Sequence, residues 1–125
     1  LGLQDANLPP QAIAYVNAHG TATDHGDVAE SLATHAVFGS KMPISSLKSY
    51  MGHTLGACGA LEAWVSIQMM RTNWFAPTLN LSGLDPRCAD LDYIVGAGRA
   101  MQTEIVMSNN FAFGGINTSL IFGRV

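Results

Sequence analysis

Apolar residues fall in short runs separated by polar, glycine-rich stretches. Ala12–Val16, Met42–Ser46, Tyr93–Val95, Glu104–Ser108 and Thr118–Phe122 are each a few residues long, which predicts five strands, the first of them buried. Between the first two, Val28, Ala29, Leu32, Ala33, Ala36 and Val37 recur at helical spacing and predict a helix with one buried face. Asp27 and Glu30 have capping-box spacing at its start, and Gly39 is placed to stop it. A second helix is expected over 56–72, where Leu61, Trp64, Val65, Ile67, Met69 and Met70 lie on more than one face. A helix apolar on several sides sits between other parts of a structure. Residues 1–11 read as a polar lead-in, and 73–92 as a long connection punctuated by Pro77, Gly83 and Pro86. The order β-α-β-α-β-β-β predicts an α/β fold with a mixed five-stranded sheet.

Composition narrows the class. The chain has 125 residues, the length of one ordinary domain, and only 12% of them are charged, about half the usual share. So few charges imply much buried surface, covered by another chain or by a further part of the same one. A net charge of −3 argues against nucleic acid as the main partner. No apolar run has transmembrane length, and the opening residues form no signal peptide, so no membrane is expected. Cys58 and Cys88 have no metal-ligand spacing and form no disulfide framework, which fits a reducing cytoplasm. The absence of an initiator methionine leads us to expect a piece of a longer polypeptide.

The candidate chemistry centres on the stretch from Lys48 to Glu62. A cation is followed five residues later by His53, then by the small run Gly56-Ala-Cys-Gly-Ala60 at a helix start. Small residues let a ligand or another backbone come close. A neutral imidazole there donates a hydrogen bond without repelling Lys48. The loop Asn17-Ala-His-Gly-Thr-Ala-Thr23 follows the first strand, so His19, Lys48 and His53 all lie beyond strand C-terminal ends. Two histidines and a lysine make a poor metal set but a suitable one for stabilising an enolate or oxyanion. The plain alternative is that each histidine satisfies a backbone carbonyl; His25 and His35 are better candidates for so bland a role. Asp27 and Glu30 are either a helix cap or supports that orient Lys48 or a histidine. A buried Glu62 needs backbone amides or a cation. Phe111-Ala-Phe-Gly-Gly115 is either a tight hairpin or a turn whose amides face a ligand.

Taken together, Asn17–Thr23, Lys48 with Gly52-His53, and Asn109-Asn-Phe-Ala-Phe-Gly-Gly115 resemble the beta-ketoacyl-acyl-carrier-protein synthases, including the ketosynthase domains of polyketide synthases. The likeness runs from about Tyr15 to Phe122. It implies a thiolase-like fold of two similar halves, with residues 1–125 as the C-terminal half of one ketosynthase domain, its N-terminal half and nucleophilic cysteine lying elsewhere. Neither Cys58 nor Cys88 matches that cysteine.

The resemblance implies roles as well. His19 and His53 are the active-site histidines that donate to the malonyl thioester oxygen. Lys48 holds the network electrostatically and pairs with Glu30; Asp27 supports it. Thr21 and Thr23 touch the phosphopantetheine arm carried by acyl-carrier protein, and no cofactor is intrinsic to the chain. Phe113 gates the acyl pocket and supplies one oxyanion-hole amide. Glu62 and Asn109 match positions near a buried monovalent cation. The expected partners are acyl-carrier protein, the N-terminal half and a second copy in a homodimer, with helix 56–72 between the halves and near the dimer contact. Ala22, Asn110 and Ala112 stand where serine, serine and glycine are common, and Ala112 restricts the loop around Phe113. The implied reaction is decarboxylative condensation of an acyl thioester with malonyl-carrier protein in fatty acid or polyketide-like synthesis. The rival is a non-catalytic pairing subunit, a chain-length factor, against which the intact His19, Lys48 and His53 weigh.

Overall fold

In the computed structural model, which describes residues 1–125, a five-stranded sheet organises the chain. Its order is β4 (Asp92–Tyr93), β2 (Pro43–Ser45), β1 (Tyr15–Asn17), β6 (Ile105–Ala112) and β7 (Ile116–Gly123). The first four are parallel and β7 is antiparallel to β6, so the sheet is mixed, as predicted. Alternate residues of the central strands feed opposite faces. Tyr15 and Val106 pack with Leu47, Met69, Met70, Phe75 and Ile94 on one side. Val16, Ile44 and Met107 pack with Ile13, Met42 and Leu91 on the other.

Three features depart from expectation. The lead-in is partly helical, with α1 at Gly2–Asp5 and a 3-10 turn at Pro10–Ala12. The long connection contains β3 (Trp74–Phe75), which pairs with β5 (Arg99–Ala100) in a separate ribbon. Most consequential, α2 (Gly26–Phe38) buries Glu30, Ser31 and Thr34 and leaves Leu32, Ala33, Ala36 and Val37 exposed. Polar partners hold that buried face: the Ser31 hydroxyl accepts from the Ala89 amide and donates to the Val28 carbonyl. The capping box does not form, because the side chains of Asp27 and Glu30 turn back to the preceding loop. Gly39 ends the helix at φ 77°, as expected. A short helix α3 (Lys48–Met51) and a 3-10 turn (Leu55–Ala57) lead into α4 (Cys58–Thr72). No helix is long and apolar enough to cross a membrane.

Candidate active site

The C-terminal ends of β1 and β2 lie side by side, with Asn17 opposite Ser45, so the loops leaving them start together. This register brings His19 and His53 into edge-to-face contact, ring centroids 5.4 Å apart at 89°. Phe111 closes a third side, 5.8 Å from His19. Burial holds the His19 pKa below its ordinary value of 6.5, and the positive charge of Lys48 and the proximity of His53 push the same way; Glu62 and Asn110 oppose more weakly. His19 is therefore a neutral imidazole at pH 7. Its Nδ1 is buried without a partner in the protein. His53 is exposed, and its Nδ1 accepts from the Leu55 amide at 3.0 Å. An accepting Nδ1 fixes the neutral ring's proton on Nε2, so His53 presents an N–H to the space outside.

The loop carrying His19 is held from α2. Glu30 accepts from the amides of His19 and Gly20, both at 2.8 Å, and Asp27 Oδ1 accepts from Thr21 at 3.1 Å and Ala22 at 3.2 Å. Burial raises the Glu30 pKa, and its two amide bonds pull it back down. The Ser46 hydroxyl donates to the Gly20 carbonyl at 2.8 Å. Gly20 has no substitute here: its φ is 34° and a Cβ would lie 2.7 Å from the Ser46 Cβ. Thr21 and Thr23 share a hydroxyl hydrogen bond of 3.0 Å at the exposed rim.

Below the histidines lies a buried ion pair. Lys48 Nζ is 2.6 Å from Glu62 Oε1, with side-chain exposures of 4% and 0%. This corrects the expected pairing of Lys48 with Glu30, whose two oxygens are already taken by loop amides. It also identifies the partner that a buried Glu62 requires. Glu62 Oε2 accepts from Asn110 at 3.1 Å and Asn17 at 3.4 Å. Asn17 also donates to Ser108 and accepts from the Leu47 amide, so that it ties β1 to β6, to α4 and to the residue before α3. Asn109 lies elsewhere: its Oδ1 accepts from Ser119 at 2.7 Å. No group of three or more His, Cys, Asp or Glu side chains is disposed to hold a metal. Phe113 is fully exposed at the tip of the β6–β7 hairpin, whose turn is made by Gly114 and Gly115 at φ 85° and 82°. His35 is exposed, and His25 makes only a 3.6 Å approach to Asp24.

Residues 2–82, more than half of the chain, match the family described as "Beta-ketoacyl synthase, C-terminal domain". The chain belongs to the beta-ketoacyl synthases. It is 44% identical to 3-oxoacyl-[acyl-carrier-protein] synthase 2 of Coxiella burnetii and 41% identical to that of Synechocystis, covering 98% of this chain and 30% of each relative. A crystal structure of a beta-ketoacyl synthase from Burkholderia phymatum superposes with a TM-score of 0.98 at 73% identity, over all of this chain and 31% of that one. The ishigamide ketosynthase/chain length factor gives 0.93 at 34% identity, over 98% and 30%. The chain thus spans about 30% of the length of the relatives it matches, and its mixed sheet is a C-terminal half of the thiolase-like ketosynthase fold.

Sequence reasoning singled out His19, His53, Lys48, Asp27 and Glu30, which lie around this site, but assigned no role to Asn17, Ser108 or Asn110. Their signal was present: each polar side chain ends or closely follows an apolar run of the sequence, a place where burial demands partners.

Proposed function

We propose that this chain is the C-terminal part of a beta-ketoacyl-acyl-carrier-protein synthase that condenses an acyl thioester with malonyl-acyl-carrier protein. The observation that carries this reading is the neutral His19 against His53, with the Lys48–Glu62 pair beneath. When the malonyl carboxylate leaves as carbon dioxide, its bonding pair moves onto the thioester carbonyl and an enolate forms. His53 Nε2–H and the His19 ring donate to that oxygen; fixed donors of this kind supply the main electrostatic stabilisation of such a step. The enolate carbon then attacks the acyl group held on a cysteine of the N-terminal half, and the cysteine thiolate leaves.

Thr21 and Thr23, at the exposed rim, meet the phosphopantetheine arm; Phe113, on a glycine-hinged tip, gates the acyl pocket and lends its amide to the oxyanion hole. The monovalent cation implied by the resemblance does not fit these side chains as they stand: Lys48, Asn17 and Asn110 already meet both oxygens of Glu62, and Ser119 donates to Asn109 Oδ1. A cytoplasmic location, a homodimer of the whole protein and the assignment of residues 1–125 to one partial ketosynthase domain belong to the same reading. The test is a chimaera in which this chain replaces the matching segment of the Burkholderia phymatum synthase. It is expected to release carbon dioxide from malonyl-acyl-carrier protein and form a β-ketoacyl product. A chimaera that folds and acylates its cysteine but does neither would overturn the reading.

A further inference from the structure

Asn110 stands between the ion pair and the histidines. Its Nδ2 donates to Glu62 Oε2 at 3.1 Å, on the oxygen that Lys48 leaves free. Its side chain lies beside His19. Gly59 lies against it: a Cβ there would be 3.8 Å from the Asn110 amide carbon, an ordinary packing contact. An asparagine amide has two unlike ends, and only the NH₂ end suits a carboxylate. Turned over, its oxygen would face Glu62 and repel it. The Cys58 thiol holds the other end of the amide in the same orientation, because Sγ–H donates to Asn110 Oδ1 at 3.0 Å. Cys58 is buried at the first position of α4, one turn before Glu62 on the same face. Without that thiol, Oδ1 loses its donor and the bond to Glu62 alone is left to orient the amide.

We propose that Asn110 is a positioning residue of this site, and that the Cys58 thiol holds its amide in the working orientation. The bond to Glu62 fixes where the carboxylate and the Lys48 charge sit, and so fixes the field felt by His19. This inference rests on the condensing-enzyme reading above, and the same chimaera tests it through two readouts. One is the pH profile of malonyl decarboxylation. The other, which needs no activity, is the titration of the ¹⁵N-labelled His19 ring.

Asn110→Ala is expected to lower the decarboxylation kcat about tenfold, which is about 1.4 kcal/mol, with KM little changed. The acidic limb of the profile and the His19 midpoint should both move to lower pH, since the lost contact favoured the protonated ring. Cys58→Ala should move both in the same direction by less. Cys58→Ser, which keeps a donor at that point, should recover at least half of the Cys58→Ala loss. Unchanged rates and midpoints would overturn the proposal. So would a loss that follows Tm alone, with serine no better than alanine. An inactive parent chimaera whose His19 midpoint still shifts on substitution would sink the catalytic reading and leave the positioning contact standing.

Discussion

Lys48 and Glu62 form the costliest pair to disturb, because both are almost wholly buried. Removing one partner of such a pair leaves an uncompensated charge and costs about 3–5 kcal/mol. Lys48→Met should therefore lower the urea midpoint of the chimaera strongly, and Lys48→Met with Glu62→Leu should recover most of the loss while leaving condensation absent. A double variant no more stable than the single one would show that the pair does not carry the effect. His53→Ala acts on chemistry instead. Losing one donor to a developing oxyanion costs about 2.7–4 kcal/mol, roughly a hundred- to thousandfold in rate. Cysteine acylation, which precedes the enolate, should survive; unchanged malonyl decarboxylation in this variant would contradict the role given to His53.

His19 adds a pH dependence whose sign follows from its lowered pKa. The unfolded chain takes up a proton near 6.5 that the folded chain refuses, so stability falls as pH drops through that value. Glu30, with its raised pKa, works in the opposite sense above 4.5. Chemical unfolding at pH 7.5 and 5.5 should show lower stability at 5.5, and His19→Asn should flatten that difference.

At the scale of elements, the structure separates what is local from what is not. The five apolar runs became the five strands of the main sheet; β1 is buried, as a continuous apolar run suggests, whereas the edge strand β7 stays mostly exposed. Both long helices formed where periodicity placed them. The orientation of α2 was not legible, because its buried partners are the amides of residues 19–22 and 89, remote from any pattern within the helix. The β3–β5 ribbon was missed for a similar reason: two-residue strands carry no period, and their pairing spans the connection. The site was legible in its histidines and in Lys48, but not in the lysine's partner. Glu30 and Glu62 are both buried carboxylates, and only the fold shows which one has its oxygens free. The way α2 grips the His19 loop is open to test. Glu30→Gln keeps the shape but places an NH₂ against an amide N–H, at about 1–3 kcal/mol for the unmet donor. A thermal melt of the chimaera should show the loss, and the His19 ring resonances should broaden. A stable variant with unchanged His19 resonances would mean that Glu30 is not what anchors the loop.

At the scale of the whole molecule, the surface is larger than a chain of this mass needs. Its accessible area is 7207 Å² at 13.2 kDa, against roughly 6,400 Å² for a typical monomer. The excess is of the order of one side of a standard interface. Large apolar side chains contribute to it on three elements. Leu61 and Trp64 on α4, Leu32 and Val37 on α2, and Ile116 and Leu120 on β7 are all more than 40% exposed. Helix α4 buries a face of Cys58, Glu62, Ser66, Met69 and Met70 against the sheet and turns Leu61 and Trp64 outward. Each Å² of such surface removed from water contributes about 25 cal/mol, and patches of this kind mark interaction or aggregation sites. The 125-residue chain alone is therefore expected to self-associate and to unfold broadly. It should also leave Cys58 and Cys88 unacylated by an acylated carrier protein, since neither is placed as the nucleophile. Co-expression with the N-terminal part of the Burkholderia phymatum synthase should raise its soluble yield and sharpen unfolding to one transition. Light scattering and calorimetry on both preparations decide the matter: a monodisperse monomer of the chain alone, unfolding in one sharp step, would show that these exposed faces need no cover.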